Sequence, residues 1–244
     1  MKLYLAIPVP AGGSFYWPLA MWLESLPIFF SNNKWGYYRD TVEGGPIAHN
    51  RNSICHRFLD TDADVLWMVD SDMNPSVEGL DYGGVGLITE AMDRDDVDIV
   101  SGVSFRIGED KNGPVPCVNS FEGETGEARK RDVMERIFSA PPGLHEVNGI
   151  STGGACLAIK RHVVEDFYER EVAWFLDHYH TSKKKLGNLL LSEDLHFITK
   201  AQEFGHRFWV DTRIVWGHVK RMDLRDELER AKELMARATQ EAVA

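Results

Sequence analysis

Short apolar runs alternate with helix-spaced apolar stripes along much of this chain. Leu3 to Val9 reads as a buried strand, stopped by Pro8 and Pro10 and followed by a Gly12-Gly13 turn. Residues 14 to 31 carry Phe15, Tyr16, Trp17, Trp22, Phe29 and Phe30 and predict a core-packed helix starting near Pro18. Ile47, Ile54, Phe58 and Leu59 predict a second helix, with Arg51 and Asn52 near its start. Val65-Leu66-Trp67-Met68-Val69 has no polar position, the pattern of a central strand covered on both faces, and it runs straight into Asp70-Ser71-Asp72. Leu80, Val85, Ile88, Ala91 and Met92 suit a further helix, and Val97 to Val103 a further strand.

The rhythm breaks between Gly108 and Pro142, a polar stretch with Gly and Pro that reads as a hairpin or a mobile active-site segment. It returns at Ala155-Cys156-Leu157-Ala158-Ile159, a strand introduced by Ser151-Thr152-Gly153-Gly154. Leu195, Ile198, Ala201 and Phe204 predict a helix over 194 to 204, closed by Gly205. Phe208-Trp209-Val210 and Ile214-Val215-Trp216 predict two short strands leading to Gly217-His218. Leu224, Leu228, Ala231, Met235 and Ala238 then mark an amphipathic helix, which docks on its own domain or on a second copy. The alternation predicts an α/β fold: one domain over 1–221 and a helical appendage over 222–244, in a monomer or a homodimer.

Composition narrows the function classes. With 43% hydrophobic and 27% charged residues the chain is globular, and 244 residues suit one domain of this kind. A net charge of -11 excludes a surface built throughout to hold nucleic acid, although a local basic patch remains open. The best candidate patch, Lys183-Lys184-Lys185, reads as a solvated loop. Cys55, Cys117 and Cys156 form neither a disulfide framework nor a zinc spacing, which points to a reducing, cytoplasmic setting, the host cytoplasm for a phage-encoded protein. With no leader-like start and no apolar run of membrane length, the expectation is a protein neither secreted nor integral, with no membrane span.

Asp70 and Asp72 place two carboxylates just past the carboxyl end of a buried strand, where open α/β sheets bind ligands. Carboxylate oxygens bind hard cations, and Mg²⁺ or Mn²⁺ in such sites keeps positions open for substrate phosphates. Acids also end strands and cap turns, so the tripeptide alone says little. An EF-hand reading fails, because the sixth position needs Gly and holds Pro75, and the twelfth needs Glu and holds Asp81.

The company of this motif is more specific. Ala6-Ile7-Pro8-Val9-Pro10, Arg51-Asn52, Val69-Asp70-Ser71-Asp72-Met73, Gly153-Gly154 with the strand to Arg161, Ser192-Glu193-Asp194, Val210-Asp211 and Trp216-Gly217-His218 follow in order. Together they resemble the motifs of GT-A fold glycosyltransferases of family-two-like architecture, from Leu3 to about His218. The resemblance implies a single Rossmann-like GT-A domain, a mostly parallel mixed sheet flanked by helices. It implies that Pro8 lies in the nucleotide-binding loop, that Asp72 and His218 hold Mn²⁺ or Mg²⁺, and that Asp70 shares the ion or reaches the ribose. Gly153 and Gly154 would line the sugar site, allowing close approach to the backbone. Arg51 and Asn52 would contact the nucleotide, with a surface salt bridge as the alternative for Arg51. Lys220 or Arg221 would add charge at the phosphates or stay solvated.

Such an enzyme moves a sugar from a nucleotide-sugar donor, UDP- or GDP-linked, to an acceptor hydroxyl. Glu193-Asp194 supplies the general-base candidate, Asp194 first, although Ser192 is a good N-cap and acids in a first helical turn are favoured whatever the function. In a retaining enzyme the same residue would position substrate, so stereochemistry stays open. The acceptor could be a metabolite, a glycan, a protein or a hydroxymethylated DNA base, as in phage enzymes of similar form. A nucleotidyltransferase is the alternative enzyme, but its Gly-rich, Arg-containing first loop is missing; a non-catalytic sugar- or nucleotide-binding module is the other alternative. His49, His56, His178, His180 and His206 show no ligand spacing and read as surface or packing residues. The 108 to 142 segment and the residues after His218 are expected to order on donor binding.

Overall fold

Strand β1 (Lys2–Val9) is buried at every position after its first, as its unbroken apolar run requires. The computed structural model describes residues 1–13, 16–75, 81–107, 114–116, 119–120, 135, 137–148, 150–179 and 189–218. The 222–244 helix, Lys220, Arg221, the 183–185 run and most of the 108–142 segment lie outside the described residues.

Helix α1 (Trp17–Asn32) starts with Pro18 in its first turn, where a missing N–H costs nothing. Strand β2 (Gly36–Glu43), helix α2 (Ile47–Leu59), strand β3 (Val65–Val69) and the two-residue β4 (Met73–Asn74) follow. Helix α3 (Val85–Met92) begins later than the apolar spacing from Leu80 predicts. Tyr82 and Gly83 sit at φ 53° and 66°, in the left-handed region that a continuous helix cannot pass through. Their carbonyls instead accept the indole N–H groups of Trp22 (2.7 Å) and Trp216 (2.9 Å), two rings that meet edge to face over Trp67.

Strand β5 (Ile99–Ile107) is followed by the short strands β6 (Pro114–Pro116), β7 (Asn119–Ser120), β8 (Leu144–Glu146) and β9 (Ile150–Ser151). Strand β10 (Cys156–Lys160) leads without a loop into α4 (Arg161–Glu169), a helix the sequence reading did not anticipate. The strands β11 (His178–Tyr179) and β12 (Leu189–Leu191), helix α5 (Glu193–Glu203) and strand β13 (Phe208–His218) complete the described chain. β13 replaces the two short strands expected there, and its register against β5 shifts between Asp211 and Val215. The irregularity separates the two apolar runs in sequence without ending the strand.

The main sheet has the order β2-β1-β3-β10-β5-β13-β4, with β6 added on β5 and β8 on β13. β2, β1, β3, β5 and β13 all point one way, and β10 runs against both of its neighbours. This is a mixed, mostly parallel α/β sheet flanked by helices, as expected. Alternate side chains of each strand go to opposite faces. Leu66 and Met68 join Ile54, Phe58, Phe167 and Phe197 beneath α2, α4 and α5. Val65, Trp67 and Val69 join Leu19, Leu23, Ile88 and Met92 beneath α1 and α3. Among the described residues no helix is long and apolar enough to cross a membrane.

Cys55 and Cys156 are buried and unpaired. Burial pushes the Cys156 thiol up to about 11, outweighing the hydrogen bonds that oppose it, and raises Cys55 further. Burial thus disfavours the reactive thiolate in both residues, so both should resist alkylation in the native protein and react on unfolding. Peptide mapping after iodoacetamide checks this; native labelling of either residue at the unfolded rate would contradict the core packing.

Candidate functional site

Two adjacent parallel strands end side by side, and their loops build a pocket. Beyond β1 the chain turns through Gly12, at φ 76°, and Gly13, where any Cβ would stand 2.8 Å from the Pro10 carbonyl oxygen. It comes back at Tyr16, whose N–H meets the Ser71 carbonyl at 3.4 Å. Beyond β3, the Asp70 N–H donates to Ala155 O (3.1 Å), and the Met73 N–H closes a turn on Asp70 O (3.2 Å). The resulting cavity of about 370 Å³ is lined by the Pro8–Gly13 loop, Tyr16, Ile47 and the Asp70-Ser71-Asp72 turn. The end of β13 reaches the same place, since His218 pairs with Met73, the residue after Asp72.

Arg51 occupies the centre of the neighbouring ground. Its side chain is 3% exposed, with one terminal nitrogen 2.7 Å from Asp70 Oδ1 and the other 2.5 Å from Glu193 Oε1. The guanidinium also lies 5.6 Å from the Phe175 ring centre. Burial opposes its charge, but Asp70 and Glu193 outweigh that and hold it above its ordinary value. Burial is the first cause acting on Glu193 and raises it despite Arg51. Arg51 is therefore not the surface salt bridge that the sequence offered as its alternative role, but a buried link from the end of β3 to the start of α5.

Gly154 serves that link. A Cβ there would come within 2.5 Å of the Arg51 guanidinium, so a larger residue would push that side chain out of its place. Gly153, at φ 80°, turns the chain beside Asp194, and the Gly154 N–H donates to Asp194 Oδ2 (3.0 Å). Asp194 Oδ1 accepts the Leu195 N–H (2.8 Å) and the Ser192 hydroxyl. The carboxylate is thus oriented by three donors at the mouth of α5. The Asn52 amide donates to Phe175 O (2.7 Å) and accepts the Phe175 N–H (3.0 Å), a two-bond clasp on the backbone.

Two contributors escaped the sequence reading. Asn50 donates to Val9 O (2.8 Å) and Gly45 O (3.3 Å), tying the end of β1 to the start of α2. Tyr16 is part of the pocket wall. For Asn50 and Arg51 there was a signal, because they share the buried stripe of Ile54, Cys55 and Phe58 on α2. Polar residues in an apolar stripe need a partner inside. The pocket's donor chemistry, carboxylates at Asp70 and Asp72 close to the backbone of His218, is a hard oxygen set, which suits Mg²⁺ or Mn²⁺.

No protein-family model and no curated protein matches this sequence. Among solved structures the chain is similar to A197 from STIV, at 18% identity and a TM-score of 0.51, over 91% of this chain and 87% of that one. It is also similar to a CMP:2-keto-3-deoxy-manno-octonic acid synthetase complexed with CTP (11% identity, TM-score 0.45, 98% and 100% of the two chains). A glycosyltransferase involved in the glycosylation of the major capsid of PBCV-1 gives 8% identity and a TM-score of 0.42, over 96% and 100%. The first likeness shows a shared fold, and the weaker two carry no argument about chemistry. The mixed, mostly parallel α/β sheet flanked by helices that the motifs implied is the fold observed.

Proposed function

We propose that this chain is a metal-dependent glycosyltransferase whose nucleotide-sugar donor lies in the pocket between the ends of β1 and β3. The observation that supports this reading most is the convergence of the Pro8–Gly13 loop, Tyr16, Asp70 and Asp72 on one cavity at the carboxyl ends of parallel strands. In this reading Tyr16 offers a ring face to the base, and the Pro8–Gly13 backbone lies along the ribose. Asp72 and His218 would hold the divalent cation, with Asp70 presented to it or to the ribose by Arg51. When bound, such a cation stabilises charge on the departing diphosphate.

Asp194 takes the acceptor proton on its carboxylate, which the Gly154 and Leu195 N–H groups and the Ser192 hydroxyl hold in one orientation. Glu193 is not suited to that work, being engaged with Arg51 in the interior. Its part is to hold Arg51, and through it Asp70.

Incubation with a panel of UDP- and GDP-sugars and Mn²⁺ tests the reading. The expected result is slow release of nucleoside diphosphate, stimulated by the correct acceptor. Pyrophosphate release from a nucleoside triphosphate and a sugar phosphate would make it a nucleotidyltransferase, and tight donor binding without turnover would make it a binding module.

A further inference from the structure

A second cluster of metal-ligating side chains lies at the other end of the sheet. Asp98 immediately precedes β5, His162 is in the first turn of α4 just after β10, and His206 lies between α5 and β13. One ligand atom from each falls within 4.8 Å of the others. Because β10 runs against β3, its first residue pairs beside Asp70 and its last beside Val65, so this cluster and the Asp70–Asp72 turn are separated by the length of a strand. One ion cannot serve both.

Several observations indicate a built site. His162 Nε2 lies 3.0 Å from Asp98 Oδ1, close to the spacing of two ligands on one tetrahedral ion, and the His162 and His206 ring centres are 5.6 Å apart. His206 Nε2 lies 3.0 Å from Asp166 Oδ2, so a carboxylate orients one ring nitrogen and the other is left to coordinate, as in metal-bound histidines generally. The three segments are also fixed to each other by backbone. Lys160 N–H donates to Asp98 O (2.9 Å), Ile99 N–H to Arg207 O (3.1 Å), and Arg207 N–H to Asp98 Oδ2 (2.8 Å).

We propose that Asp98, His162 and His206 form a site for a borderline divalent transition cation, Zn²⁺ above all, that ties the starts of β5, α4 and β13 together. Two imidazoles and one carboxylate, with water completing the tetrahedron, match the preference of Zn²⁺ and not the all-oxygen preference of Mg²⁺. Asp166 is a positioning residue: it holds the His206 ring and does not touch the ion. The role is structural, since the cation crosslinks three segments far from the donor pocket. This proposal does not depend on the glycosyltransferase reading.

The test uses the full chain carrying Asp72→Ala, which removes the other metal position, with and without His162→Ala. His162 has a side chain 54% exposed, so its loss leaves the core untouched. Zinc stoichiometry is measured by competition with a chromogenic chelator, and melting is followed with Zn²⁺ at about 100-fold over its Kd. The expected result is one zinc per chain and a melting point raised by about 5 °C or more, both lost in the His162→Ala chain. Absence of zinc binding, or equal binding and equal stabilisation in both chains, would overturn the proposal.

Discussion

Replacing Asp72 with alanine should lower kcat/KM for sugar transfer by about 10³-fold or more, because charge on the leaving diphosphate then loses its fixed counter-charge. The fold should survive. Asp72 is only half-buried and lies outside both cores, so the melting point should move by no more than about 4 °C, the size of a change near 1 kcal/mol. Asp72→Asn keeps the shape but not the charge and should be nearly as inactive. Steady-state release of nucleoside diphosphate across a Mn²⁺ titration, paired with thermal melts, checks both halves. A variant retaining a tenth of wild-type activity would remove Asp72 from the centre of the mechanism.

The second large effect is expected at Arg51, and there it falls on stability first. Removing one partner of a buried ion pair leaves an uncompensated charge in the interior and costs about 3–5 kcal/mol. Arg51→Met leaves both Asp70 and Glu193 without their shared cation, and it opens space beside Gly154. For a domain of this size the melting point should fall by about 6–20 °C. Adding Glu193→Gln removes one of the stranded charges, so the double variant should lose less than the sum of the two single losses. Urea denaturation of the four proteins measures this coupling. Additive losses would mean that Arg51 and Glu193 do not act as a unit.

The sequence carried much of this arrangement where one-dimensional pattern maps directly onto burial. Val65–Val69 is buried at every position, and the acids that follow it line a cavity. Helix α2 spans the predicted residues, and α5 is displaced by a single position. β2 was missed because only Val42 of its residues is buried, so Gly36-Tyr37-Tyr38-Arg39-Asp40-Thr41 shows no apolar run. The strand at Cys156–Lys160 was legible, but its direction was not, since alternation of side chains is the same read either way along a strand. Arg51 is visible in the sequence, but its burial is not. A charge looks solvated in sequence, and only the meeting of β3 with α5, over a separation of 142 residues between Arg51 and Glu193, reveals why it is inside.

His206 shows the same limit. It has no histidine or cysteine at ligand spacing nearby in sequence, and its companions Asp98 and His162 arrive from two other elements. Sequence spacing can report ligands that share one helix or one loop. It is silent about ligands gathered by strand order.

Strand β10 also imposes an order of events on synthesis. β3 pairs with β1 on one side and with β10 on the other, so its second edge stays bare until Cys156–Lys160 has been made. At about 5–20 residues per second, the roughly ninety residues between Val69 and Cys156 keep that edge open for about 4–20 s. During this interval Val65-Leu66-Trp67-Met68-Val69 presents unpaired backbone groups and apolar side chains to whatever strand is nearby, including the same segment of a neighbouring nascent chain. The strand that carries the acidic turn to its pocket is therefore also a segment in need of a chaperone's cover while synthesis continues.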